Sequence, residues 1–281
     1  MTATTWKMTP DRELTAICNE TVKGLRQGWS ERLQILIEMP LFITFMLLLA
    51  FTIGEGEAIV TDRLEWSLDT AGASWLIIGL SAFTYTYLHV QKMFWRLLAE
   101  IQTGTLEQAY LSPLPSWVHV VIGRVASAIA ETVIVVAIVY GVTNLFVSID
   151  LHLRVEALLP LLLLFTGAAG LAMIIAGAAL VWKRTMLLND MVLMFLMFFS
   201  GALMPLSRLP GWAEAIGQPI FLTHSAEALR IVMFDGETVP WSGTGGWAWT
   251  LATAFGWLAT GVLAFKLSER IAKRKGSLFH F

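Results

Sequence analysis

The sequence predicts an all-α membrane protein built around six transmembrane helices, and three observations carry that prediction. Of its 281 residues 56% are hydrophobic and only 14% charged, against about a quarter charged in an ordinary soluble domain. The apolar residues gather into six runs of roughly 20 or more, the length that crosses a hydrocarbon core of about 30 Å. The charges gather between those runs. Backbone polar groups cannot stay unpaired in hydrocarbon, so each run must be helical.

The spans read 35–54, 75–95, 117–147, 155–182, 187–206 and 247–268. The third is long enough to tilt, or to begin before it enters lipid. With the N-terminus inside, fifteen of the nineteen Lys and Arg residues fall on inner segments, and only Arg63, Arg154, Arg208 and Arg230 fall outside. That positive-inside bias places both termini in the cytoplasm and the chain in a cell membrane. The domain layout is therefore a single transmembrane domain over 1–281. It has a cytoplasmic segment 1–34, a six-span bundle 35–268 and a basic tail 269–281. No apolar run begins before about Leu33, so the first span is expected to act as its own targeting signal.

Ahead of the first span, Leu14, Ile17, Cys18, Val22, Leu25, Trp29 and Leu33 share roughly one helical face, with Glu13, Glu20, Lys23 and Arg26 off it. This is the pattern of an amphipathic helix. It either lies on the inner membrane surface or packs on the protein.

Between spans two and three, EIQTGTLEQAYLSPLP (100–115) carries its own start and stop signals. Thr105 and Gln108 stand in the T-x-x-Q relation of a capping box. Glu107 sits in the first turn, where the helix dipole favours an acid. Pro113 restricts Ser112, so the helix should end near Leu111. Leu106, Ala109 and Tyr110 form one small apolar face. Seven residues make a helix of about 10 Å, marginal in water by itself, so it needs a surface to pack on.

GTLEQAYLSPLP, about ten residues after the second span, resembles the segment at that place in ABC type-2 (ABC-2) exporter permeases. A second stretch, FFSGALMPLSRLPGWAEAIGQPIFLTHSAEALR (198–230), resembles the same family's pattern of an apolar run, S-G, a proline, L-P-x-W, N/Q-P, T-H and a final Arg. Gln218 stands where many relatives have Asn. The resemblance implies that Thr105, Leu106, Glu107, Gln108, Ala109, Tyr110 and Leu111 form a coupling helix that docks on an ATP-binding subunit. It also implies short outer re-entrant helices between spans five and six, two permease protomers in a homo- or heterodimer, and a path lined mainly by spans one, two and five.

The chain has no GxxxxGK[ST] phosphate loop, no LSGGQ-type signature and no HExxH or GxSxG constellation. It is thus expected to bind no cofactor and catalyse nothing, and the resemblance implies that ATP and Mg are held by two copies of a separate ATPase subunit. A net charge of −2 gives no signal for nucleic acid. Membrane lipids and a small-molecule or lipid-like substrate complete the expected partners.

Candidate path residues lie on two spans. Met191, Met194, Met197 and Phe198 share a face of the fifth, and Met suits surfaces that accept varied apolar ligands; ordinary core packing explains the same pattern. Tyr85, Tyr87 and His89 lie on the second. Glu131 is the deepest acid, two helical turns from Arg124, and is either a structural pair or a group that handles substrate or protons. Small residues at fourfold spacing (Ala168, Ala172, Ala176; Ala252, Gly256, Thr260, Ala264) predict close helix packing within the protomer.

The leading expectation is an exporter subunit moving an amphipathic or hydrophobic drug, antibiotic or lipid-like molecule. An exporter of lipid-linked polysaccharide, an ion-gradient transporter and a non-transporting scaffold are the alternatives.

Overall fold

A helix that is apolar on every side belongs in the middle of a bundle. The segment Leu158–Val181 is such a helix, with most of its residues buried. In the computed structural model, which describes residues 10–30, 44, 70–105, 124–146, 152, 154–182 and 185–275, the described helices are α1 (Pro10–Ser30), α2 (Thr70–Thr103), α3 (Arg124–Phe146), α4 (Leu158–Val181, led in by a 3₁₀ turn Val155–Ala157), α5 (Met186–Phe199), α6 (Gly211–Gly217), α7 (Phe221–Met233) and α8 (Trp247–Lys275). Helices α2, α7 and α8 pack on α4, while α1 packs on α3 and α5 on α2. Among the described residues there is no β-strand. Among the described residues two stretches are long and apolar enough to cross a membrane, Val155–Val181 and Trp247–Arg274. The first predicted span, 35–54, lies outside the described residues apart from Thr44.

The fourth span is as read from the sequence. Three others need correction at their ends. The second helix is 34 residues long, from Thr70 to Thr103 rather than 75–95. Its extension keeps a helical apolar face, because Leu97, Leu98 and Ile101 are all buried. It stops at Gly104, whose φ of 71° only glycine adopts without strain. The fifth helix stops at Phe199, not at 206. Ser200 and Gly201 (φ 74°) break it, leaving 14 residues, about 21 Å of helix. The eighth runs past 268 to Lys275, so the first part of the predicted tail is helical and carries a Lys273–Glu269 pair at 2.7 Å.

Glycine sets how closely α4 and α8 approach. A Cβ on Gly261 would fall 2.2 Å from the Gly170 carbonyl oxygen, and one on Gly170 would fall 2.3 Å from that of Trp257. Gly167 leaves room for the Phe221 ring of α7 in the same way. The α4 stripe therefore packs within the protomer as predicted. The α8 stripe does not. Ala252, Gly256 and Thr260 are exposed, and nothing lies within 4 Å of a Cβ on Gly256. Fourfold spacing marks a face that permits close packing; the neighbour selects the face, and here α4 meets the one through Gly261 and Phe265.

Of the two readings of the N-terminal helix, the structure bears on the one in which it packs on the protein. Gly24 of α1 is buried against Ser127 of α3 and Arg96 of α2, so the helix packs on the bundle. Leu14, Cys18, Val22 and Leu25 nevertheless remain exposed along one face. Leu33 and the side chain of Trp29 lie outside the described residues. Helices α1 and α7 meet opposite ends of α2, at Arg96 and Gly79 respectively.

Candidate translocation surface and coupling end

Helix α5 is two-sided. It buries Asn189, Leu193 and Leu196 and exposes Leu187, Met191, Met194 and Phe198 (74, 71, 62 and 53%) at spacings of four, three and four. Of the predicted Met/Phe face, Met191, Met194 and Phe198 are thus open, and Met197 is half-buried. Stacking of Phe195 on Phe199 at 4.5 Å, with Trp212 5.9 Å further on, stiffens the end of the helix. The open face is apolar, and its unbranched Met191 and Met194 are suited to repacking around differently shaped molecules.

A polar knot holds α5 to α2. Asn189 is buried and donates through Nδ2 to Gln91 Oε1 (3.1 Å) and to Asp190 Oδ1 (3.1 Å), while Gln91 Nε2 approaches Asp190 Oδ1 at 3.4 Å. Sequence reading passed over these three. An Asn-Asp pair entering an apolar run was the available signal. Because Gln91 meets the start of α5 and Gly79 lies beside Ala202, just past its end, the two helices are antiparallel. Tyr87, one turn from Gln91 on the same side of α2, is half-buried.

Tyr85 and His89 lie elsewhere. Both are buried, with Tyr85 stacked on Phe165 of α4 at 4.3 Å and on His89 at 5.8 Å. Among the described residues, the Tyr85 hydroxyl and both His89 ring nitrogens have no hydrogen-bond partner. The structure therefore divides the predicted path residues between an open face on α5 and the packed seam between α2 and α4. Glu131 and Arg124 are helical in α3, but their side chains are outside the described set.

At the far end of α2, Arg96 joins three helices. Its Nη1 donates to Ser127 Oγ of α3 (2.8 Å) and its Nη2 to the Gly24 carbonyl of α1 (3.2 Å). Lys23 of α1 adds an ion pair with Glu100 at 3.6 Å. Gly24 permits this contact, since a Cβ there would lie 1.6 Å from the Ser127 hydroxyl. Two turns after Arg96 the helix ends. Thr105 is exposed, its Oγ1 3.0 Å from Thr103 Oγ1. The rest of the predicted coupling helix, Leu106, Glu107, Gln108, Ala109, Tyr110 and Leu111, lies outside the described residues. No group of His, Cys, Asp and Glu among the described residues is placed to hold a metal ion.

The chain matches the family model of the ABC-2 type transporter over residues 14–234, from α1 through the end of α7. It belongs to the ABC-2 type transporter family. No curated protein matches it. As a member it is a transmembrane subunit of an ABC-type transporter, a transport protein and not itself a catalyst, in a family that works with an ATP-binding subunit.

The ABC-2 subunit has a second arginine node at the opposite end of α2. Arg230, the last residue of the 198–230 motif, is 3% exposed and pairs with Glu227 Oε2 at 3.1 Å. It also donates to the carbonyls of Gly201 (3.2 Å) and Ala202 (3.3 Å). These carbonyls are free to accept because α5 has just ended. Gly79 makes the room; a Cβ there would sit 2.0 Å from Arg230 Nη2. Burial lowers the guanidinium pKa to about 10, Glu227 opposing the shift, so the group stays charged at neutral pH. His224, one face over, accepts from the Gly245 N–H at Nδ1 (3.3 Å), so Nε2 carries the proton and donates to the Gln218 carbonyl (2.8 Å). Burial holds its pKa below the ordinary value, with the Gln218 bond and the Glu227 carboxylate opposing. The T-H and final Arg of the motif are thus internal fastenings of the α6–α7 region.

Proposed function

We propose that the chain is one protomer of an ATP-driven exporter that moves an amphipathic or hydrophobic molecule outward across the cell membrane. A pair of ATP-binding subunits carries the ATP and Mg, and two permease protomers form the path. Both termini and the segment 105–111 face the cytoplasm in this reading, and the α6–α7 region faces outward, its short helices re-entrant beside six spans.

The observation that carries the proposal is the Arg96 joint. It bonds the end of α2 to α1 and α3 only two turns before residues 105–111. A push on that segment therefore reaches three helices together, and α2 passes it to α5 through the Gln91–Asn189–Asp190 knot. The open Met191, Met194 and Phe198 face supports an apolar cargo of variable shape, a drug, antibiotic or lipid-like molecule.

The test is reconstitution of the protein with its ATP-binding subunit in proteoliposomes, following ATP turnover and movement of a fluorescent amphiphile. Glu107→Lys and Tyr110→Ala should leave ATP turnover running while transport per ATP collapses. Normal transport in both variants defeats the docking role. If no ATP-binding subunit co-purifies and ATP drives no transport, the exporter reading itself fails.

A further inference from the structure

Helix α5 carries a single charge, Asp190. The residue is exposed and sits at the edge of the open face, one turn after Leu187 and one turn before Met194. Its carboxylate is held but not neutralised. Asn189 Nδ2 donates to Oδ1 at 3.1 Å, and Gln91 Nε2 approaches the same oxygen at 3.4 Å. Both donors are neutral amides, and Asn189, itself buried, directs its other amide hydrogen to Gln91 Oε1. Oδ2 accepts from no described residue. No Lys, Arg or His among the described residues forms an ion pair with Asp190.

An uncompensated charge beside an apolar membrane face is costly, and such groups ordinarily meet a path or a partner. The surroundings say which kind. From Asp190 the helix runs about 12 Å to Phe198, past Met191 and Met194. Antiparallel packing sets Tyr87, one turn of α2 from Gln91, at the level of Met194. The seam thus offers a fixed counter-charge at one end, then thioethers and aromatic rings, whose faces also attract cations. A metal ion needs several oxygen ligands, and the seam presents one open carboxylate oxygen. An organic cation whose charge is attached to an apolar body needs only that carboxylate and the apolar run. An anionic amphiphile is repelled at the same position.

We propose that the α2–α5 seam is a recognition site for lipophilic monocations, with Asp190 as the counter-ion and Met191, Met194 and Phe198 holding the apolar body. The proposal rests on the reading of this face as the cargo surface, and it narrows the cargo to one charge class. Asn189 and Gln91 are positioning residues. They fix the carboxylate at the helix edge through the same bonds that hold α5 to α2.

The test is equilibrium binding of radiolabelled tetraphenylphosphonium and tetraphenylborate, ions of similar shape and opposite charge. Each is measured on the full-length protein in nanodiscs and corrected for empty nanodiscs. The native protein should bind the cation about tenfold more tightly than the anion, as one charge contact at a partly desolvated surface provides. Asp190→Asn, which keeps an oxygen for both amide donors, should bring the two ions to parity. Asp190→Glu should restore the preference, and Met191→Ala with Met194→Ala should weaken both ions alike. Equal binding of the two ions by the native protein, or a preference that survives Asp190→Asn, overturns the proposal. So does an Asp190→Asn variant that shifts the monomer–dimer balance with cation binding intact, which gives the face to a second protomer. Binding is read without nucleotide or an ATP-binding subunit. The carboxylate site can therefore fail while ATP-driven transport of an amphiphile stands, and the reverse.

Discussion

The two ends of α2 are each fastened by an arginine set against a glycine, yet they are different devices. Arg230 lies in a closed node: an ion pair within its own helix and two carbonyls of the turn after α5, all packed on Gly79. Arg96 bonds outward to the Ser127 hydroxyl of one helix and the Gly24 carbonyl of another. The first device fixes a chain reversal, where freed backbone carbonyls need donors. The second ties separate helices at the end from which residues 105–111 depart. A node suits a scaffold, and a joint suits the transmission of movement.

The comparison is broken most severely at Arg230. Arg230→Met strands Glu227 and two carbonyls, and breaking a buried pair costs about 3–5 kcal/mol. Thermal unfolding of the purified protein should show the largest loss of any single variant considered. Adding Glu227→Gln should recover part of it, because the stranded charge is then gone. If Arg230→Met melts like the native protein, the node is not structural.

At the joint, Gly24→Leu should cost less, about 1–3 kcal/mol for overpacking. Its larger effect should fall on function, lowering transport per ATP hydrolysed in proteoliposomes. Equal losses of stability and coupling at the two ends would erase the distinction drawn between them.

Glycines of α8 supply an internal control. Gly261→Leu should lower the melting temperature by an amount comparable to Gly24→Leu, because its Cβ meets the backbone of α4. Gly256→Leu should stay within about 0.5 kcal/mol of the native protein, since its surroundings are open. A reversed order would show that α8 packs through its other face.

The smallest effect concerns pH. Because the folded pKa of His224 is lowered, the unfolded chain binds the proton first as pH falls. Stability is therefore lost as pH drops below the ordinary histidine value of about 6.5 and is fully present above it. Melting temperatures at pH 7.5 and 5.5 should differ more for the native protein than for His224→Gln. An unchanged difference removes His224 as the cause.

Much of the architecture was legible before any coordinates. Residues 155–182 read correctly because an apolar run bounded by charge is a local property. The 198–230 motif and GTLEQAYLSPLP pointed to the family now matched over 14–234. Other features were out of reach. The end of α5 at Phe199 was hidden because Ser200–Pro205 is still apolar, although Gly201 and Pro205 were visible breakers. Among the candidate site residues, helical spacing placed Met191, Met194 and Phe198 on one face but could not say that the face is open.

By itself the sequence determined the class of solvent, the helices and the family, because hydropathy, helical period and motif order are carried by neighbouring residues. Only the tertiary structure decided which faces meet. It paired Gly79 with Arg230, Gly24 with Arg96 and Gly170 with Gly261, and it turned Tyr85 toward α4 and away from α5. Each pairing joins residues far apart in the chain, and glycine has no side chain to advertise its partner; what it contributes is space, visible only when another helix fills it.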